Sequence, residues 1–205
     1  ARFAHELLAL GKQYELPESV AFGQYFVGVS HYEMGDSGTA EEALLPLFAD
    51  RPPVNTNSWI YCAFTCALIR PERGDRAGAE EISAEIARFG IAARNPELVA
   101  LASAMEAELA VRLERRAAAA RWADSHTPKV ELPRWRCYVP ESTYLKHLLL
   151  KGAQDDLKQA ADLASRQSAY LDKIHNKRFL SEFLALQAVI ASRTADEDGA
   201  RNHLR

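Results

Sequence analysis

Cysteine is scarce: three in 205 residues, an odd number too small to staple a fold. That excludes a disulfide framework and favours a reducing, cytoplasmic setting. No apolar run reaches the roughly 18 residues that cross a bilayer, and the first 14 residues read as an amphipathic helix rather than a signal peptide, so no membrane partner is expected. Charge of one sign is also lacking. The formal net charge is −3 and no basic run stands out, which gives no general attraction to nucleic acid or anionic lipid. The string G-x-x-x-x-G-K-[ST] is absent, and Gly74 and Gly78 do not open a phosphate loop, so no nucleotide or other cofactor is expected. Strand-like alternation is missing throughout. The remaining fold class is all-α.

What is present is helix grammar. Apolar residues recur at helical spacing over 1–15 (Phe3, Leu7, Leu8, Leu10) and 17–34 (Val20, Tyr25, Phe26, Val27, Val29, Tyr32, Met34). A shorter helix over 39–49 carries Pro46, which costs about 3 kcal/mol in a helix interior and predicts a bend or a shifted boundary. Helices follow over 55–70, 76–89, 98–113 and 117–123, with breakers at 51–53 and a capping Asn95-Pro96-Glu97 start signal. A proline-bearing break spans 125–140. Helices over 141–150, 156–174, 177–193 and 198–205 complete the chain. It opens without Met and both opens and closes in mid-helix, so it reads as a fragment of a larger protein.

The helices obey a register. Turn positions fall at Gly35, Gly74, Glu114, Gly152 and Ala195, at intervals of 39, 40, 38 and 43 residues. Five residues after each turn stand Ala40, Ala79, Ala119, Leu157 and Ala200; seven before each stand Gly28, Ala67, Ala107, Leu145 and Ala188. Small residues there let paired helices approach closely, and glycine at the turn supplies a left-handed helix terminus without steric penalty. The Leu145/Leu157 unit departs at both positions together. The pattern predicts one array of antiparallel hairpins with ~40-residue repeats over 1–205, with a seam at 125–140. A bundle with fortuitous alanine spacing is the alternative.

This register resembles that of tetratricopeptide-like (TPR-like) hairpins, which form a superhelix. Within it, A-A-A-A-R-W-A (117–123) followed by E-S-T-Y-L-K-H-L-L-L-K-G (141–152) resembles the helical-repeat region of MalT-like regulators, the large ATP-dependent LuxR-family transcriptional activators of the STAND class. The resemblance covers 113–204 and departs from the family pattern at Lys146-His147 and in the Trp135/Cys137 connection. It implies a sensor and interaction domain that binds a small-molecule inducer or a protein partner. An ATPase module would lie N-terminal and a helix-turn-helix domain C-terminal, so DNA would be met only through a domain outside this chain. Self-association is compatible with it.

Chemistry-bearing residues give little. Cys62 and Cys66 share a helix face, but a zinc site needs two more ligands, so they read as small buried hydrophobes. Glu80-Glu81 and Asp155-Asp156 point in different directions on a helix and sit where N-termini favour acids. His31, His147 and His175 lack a nucleophile in a strand-turn-helix context. Arg134-Trp135-Arg136 with Tyr138 could stack on a ligand or fold over the apolar seam. No catalytic residues are expected, and the chain reads as a non-enzyme.

The register itself supplies a candidate surface. One stripe along the first helix of each hairpin contains Tyr25, Val29 and Tyr32, then Phe64 and Leu68 with Tyr61 one turn away, then Glu108, then Lys146. Tyr25, Tyr32, Tyr61, Phe64, Glu108 and Lys146 are therefore the candidate ligand- or partner-binding residues. Ordinary inter-repeat core is an equal alternative for the rings. A carboxylate clamp is disfavoured, since it needs a Lys, Arg and Asn cluster and the stripe offers only Lys146.

Overall fold

The computed structural model describes residues 2–50, 56–131, 137–194 and 197–203. Among these residues there are eleven α-helices, one 3-10 turn and no strand. They are α1 (Arg2–Gln13), α2 (Pro17–Glu33), α3 (Ser37–Asp50), α4 (Thr56–Ile69), α5 (Arg76–Ala92), α6 (Pro96–Arg112), α7 (Arg116–Ser125), α8 (Pro140–Lys151), α9 (Gln154–Lys173), α10 (Lys177–Arg193) and α11 (Glu197–His203), with the 3-10 turn at Arg70–Arg73. Two compact units divide the chain, Ala1–Met105 and Glu106–Arg205. The breaker at 51–53 lies outside the described residues, as do Ala195 and the side chain of Ala200.

The turns explain the hairpins. Gly35, Gly74 and Gly152 have φ of 79°, 78° and 70°, and Glu114 has φ 59°, so four of the five turn positions are left-handed. A second set alternates with them: Glu15 (φ 51°), Arg94 (φ 50°) and His175 (φ 57°) turn the chain from one hairpin into the next. Turns therefore recur at about half the repeat, near 20 residues. At five of them the residue after the left-handed one donates its backbone N–H five residues back: Leu16 to Gly11 O (2.8 Å), Asp36 to His31 O (2.9 Å), Asp75 to Arg70 O (3.0 Å), Arg115 to Ala110 O (2.8 Å) and Asn176 to Leu171 O (2.9 Å). This bond satisfies a carbonyl that the helix end leaves open.

The same residues then start the next helix. The Asp36 carboxylate accepts from the Thr39 amide (3.1 Å), Asp75 from Gly78 (2.9 Å) and the Asn176 side chain from Phe179 (3.3 Å). Asn95 does likewise for the Glu97 amide at 3.0 Å. One residue thus closes one helix and caps another, which is why Gly-Asp appears at two of the turns. Four turns place a side chain where glycine is preferred, at a cost of about 1 kcal/mol each. Glu114→Gly is expected to stabilise the second unit by about 0.5–1 kcal/mol, read as a higher denaturant midpoint at unchanged slope.

The small-residue register marks the hairpin seams. Gly28, Ala40, Ala67, Ala79, Ala107, Ala119 and Ala188 are all buried, as are Leu145 and Leu157 where the unit departs from the pattern. A Cβ added at Gly28 would lie 2.5 Å from Leu44 Cγ and 3.2 Å from the Ala40 carbonyl, so the two register positions face each other. Each unit adds contacts between first helices of successive hairpins, α2 with α4 and α8 with α10, beside those between sequence neighbours. That is the packing order of a repeat array.

Some expectations are corrected in detail. On α1 the buried positions are Ala4 and Gly11, whereas Phe3 and Leu10 are exposed. Pro46 lies inside α3, which runs unbroken from Ser37 to Asp50. Helix α4 also bonds to the backbone of α3: the Cys62 thiol donates to Leu44 O (3.1 Å) and the Trp59 indole to Phe48 O (3.2 Å). Asp155 and Asp156 occupy the first turn of α9, but Glu80 and Glu81 stand beyond the first turn of α5. An ion-pair cluster joins α3 to the turn before α5, with Glu41 between Arg70 (3.2 Å) and Arg73.

Candidate functional site

The two charged candidates meet. Glu108 on α6 and Lys146 on α8 occupy equivalent register positions, each one residue after its hairpin's packing residue, and their side chains pair at 2.9 Å. Glu108 is 2% exposed. Its Oε1 also accepts from Arg112 Nε, one turn along α6, at 3.0 Å, and its Oε2 accepts from the Thr143 hydroxyl at 2.6 Å. Lys146 reaches on to Glu182 of α10 at 3.0 Å. Because the Thr143 proton is directed at Glu108, the Tyr138 hydroxyl, which is bonded to Thr143 Oγ1, is the donor to it. Two cations and two carboxylates form a continuous ion-pair chain across three successive first helices, with the two hydroxyls as a branch ending on Glu108.

The electrostatics follow from that arrangement. Burial pushes the Glu108 carboxyl up, but Lys146 and Arg112 beside it, with the Thr143 hydroxyl, outweigh burial and hold it at about 2. Burial pulls the Lys146 ammonium down, and the Glu108 and Glu182 carboxylates more than offset it, leaving it raised. Burial, and then the Glu108 charge, push the Tyr138 phenol well above its ordinary value. A general acid or base works best with a pKa near the ambient pH. All three are displaced away from neutrality, so Glu108 and Lys146 act as fixed charges and Tyr138 as a neutral hydrogen-bonding phenol. Arg112, Lys146 and Glu182 are partly open to solvent, and the rest of the cluster is interior.

The aromatic candidates are elsewhere. Tyr25, Tyr61 and Phe64 lie in the first unit at 2%, 3% and 6% exposure, packed as interior residues, and Tyr32 is half-buried. Val29 and Leu68, the first unit's counterparts of Glu108 and Lys146, are buried as well. Cys62 and Cys66 are fully buried; the hydrogen bond between the two thiols and burial push the Cys62 thiol up. No group of three or more His, Cys, Asp or Glu that could hold a metal occurs among the described residues. His31 pairs with Asp36 at 3.2 Å, His175 is a turn residue, and burial holds His147 below its ordinary value. Arg134-Trp135-Arg136 lies outside the described residues, and Tyr138 is buried in the polar cluster.

Sequence reasoning missed a cleft in the first unit. Leu16, Val20, Ala21 and Leu47 line a cavity of about 430 Å³, together with the polar residues Lys12, Glu15 and Gln24. Its walls come from the α1–α2 turn and α3. The Leu16-Pro17 step was visible as a helix stop, yet nothing in one sequence says that α3 stands off from it. In the second unit, the stretch after α7 is tied down: the Lys129 amide donates to Glu141 (3.0 Å) and the Gln167 side chain to Val130 O (3.2 Å). His126 stacks on Trp122 with centroids 4.4 Å apart. No helix among the described residues is long and apolar enough to cross a membrane. Comparison with protein families, curated proteins and solved structures gives no significant match to this chain.

Proposed function

We propose that this chain is a non-catalytic ligand-sensing and interaction domain of a bacterial transcriptional regulator of the MalT-like kind, with the cleft at the α1–α2 turn as its small-molecule site. The cleft carries the reading. About 430 Å³ is within the range of small-molecule sites, and an apolar floor edged by one cation (Lys12), one carboxylate (Glu15) and one amide (Gln24) suits a small amphipathic ligand. The fixed charges of the Glu108–Lys146 cluster hold successive first helices in one register. A ligand wedged between three consecutive helices can bias such an array only through unequal affinity for its alternative arrangements. The family part rests on the resemblance over 113–204; a complete reading frame with neither an ATPase module nor a helix-turn-helix domain would sink it.

The cleft is tested with a thermal-shift screen of small amphipathic molecules, acids, amines and zwitterions among them. A ligand at about 100 times its Kd should add roughly 2.7 kcal/mol to the first unit. Val20→Trp, which fills the cleft, should abolish that shift while leaving a folded protein by circular dichroism. A screen without shifts, beside a stoichiometric protein partner in a pull-down, would favour a scaffold without small-molecule sensing. The exposed apolar face of α1 is the observation on that reading's side.

A further inference from the structure

Helix α1 has two apolar seams. Ala4, Leu8 and Gly11 form the inner one, where a Cβ on Gly11 would meet the Val20 nitrogen at 2.7 Å. Phe3, Leu7, Leu10 and Tyr14 form the other at spacings of four, three and four. Phe3 is 82%, Leu10 51% and Tyr14 61% exposed.

The left-handed turns identify what that outer seam is. Glu15 and Arg94 are equivalent turn residues 79 apart, and the same offset places Gly11 on Gly90 and Val20 on Val99. The contacts agree: a Cβ on Gly90 would meet the Val99 nitrogen at 3.3 Å, as one on Gly11 would meet that of Val20. Under this offset Phe3, Leu7 and Leu10 correspond to Ile82, Ile86 and Phe89 of α5. Ile82 and Ile86 are 6% and 1% exposed, and the Phe89 ring lies 4.6 Å from Trp59 of α4. In the α4–α5 hairpin, then, the corresponding seam is covered by the hairpin's first helix. α1 is built as a second helix, with its seam toward a first helix open.

We infer that the Phe3–Leu7–Leu10–Tyr14 face is a docking surface for a helix of the array's own first-helix type, lying antiparallel to α1 as α4 lies on α5. The chemistry of that occupant follows from α4: an aromatic ring placed to cover Leu10 as Trp59 covers Phe89, and small residues such as Ala67 along the line of closest approach. A charged or aliphatic-free helix would not fill it.

The full chain extended by a second copy of residues 56–79 placed directly ahead of Ala1 tests this, because residue 80 is the counterpart of Ala1 and the register is kept. The extension should raise the melting temperature of the first unit and slow amide exchange across α1 several-fold. The same extended chain carrying Leu7→Glu should lose both effects while the second unit is unchanged. An extension that leaves α1 exchange at its original rate overturns the inference. So does a dimer of the unextended chain that Leu7→Glu converts to monomer, since the face would then belong to a second copy.

Discussion

Lys146→Met is expected to destabilise the second unit by about 3–5 kcal/mol, far more than a surface charge would, because it strips the buried Glu108 of its principal counter-charge. Methionine keeps the aliphatic stem and removes only the ammonium that bridges Glu108 and Glu182. Urea unfolding followed by a probe in the second unit reads the effect, and a loss under about 1 kcal/mol would mean the pair is effectively solvated. Glu108→Gln combined with Lys146→Met should recover part of the loss, since the one fully buried charge of the cluster is then gone and the charges left behind, Arg112 and Glu182, are partly open to solvent; the cycle isolates the Glu108–Lys146 coupling. pH gives an independent check. The Glu108 pKa is depressed from 4.5 to about 2, so its contribution, about 3 kcal/mol, is full above pH 4.5 and is lost as pH falls through 2. Glu108→Gln should flatten that part of the acid-unfolding profile.

Gly23→Val should cost the first unit about 3 kcal/mol and detach α1. A Cβ at Gly23 would lie 2.6 Å from the Leu8 nitrogen and 2.7 Å from Leu8 Cα. Those are backbone atoms, so no rotamer change can relieve the overlap and the two helices must part. Even alanine, which gains about 1 kcal/mol of helix propensity over glycine, meets the same backbone. Hydrogen exchange should show α1 losing protection first, with α4 and α5 nearly unaffected. A variant of unchanged stability and unchanged α1 protection would contradict the close crossing. Gly28 offers the internal comparison: its closest contacts are with the Leu44 side chain and its nearest backbone atom, the Ala40 carbonyl oxygen, is 3.2 Å away, so Gly28→Ala should cost less than Gly23→Ala.

The residues show why some of this was legible in the sequence and some was not. Helix positions and the hairpin turns could be read because Gly-Asp pairs announce themselves and small residues recur at a fixed distance from them. The turns between hairpins were read only as helix ends: Glu15, Arg94 and His175 adopt left-handed backbone under residues that carry no such signature. The stripe holding Glu108 and Lys146 was found by counting, and their pairing follows from equivalent positions on adjacent first helices. Arg112, four residues from Glu108, was within reach of the same reasoning. Thr143 was not, since it lies off the stripe and enters only through the angle between helices, whereas Glu182 holds on α10 the offset that Tyr61 holds on α4 and could have been counted with it. The rings at Tyr25, Tyr61 and Phe64 occupy the same stripe, and period alone does not separate a lining residue from a packing one. Gly11 and Gly23 are individually unremarkable in a helix; only the crossing of α1 and α2 gives them meaning.

The shared turn residues also restrict how such a chain can change in length. When one residue both closes a helix and caps the next, there is no slack between them. A one-codon insertion at Gly35-Asp36 or His175-Asn176 would turn the following helix by about 100° about its axis and swing its seam away from its partner. Deletions do the same in the other sense. Gene variants should therefore gain or lose whole hairpins far more readily than single residues at these turns.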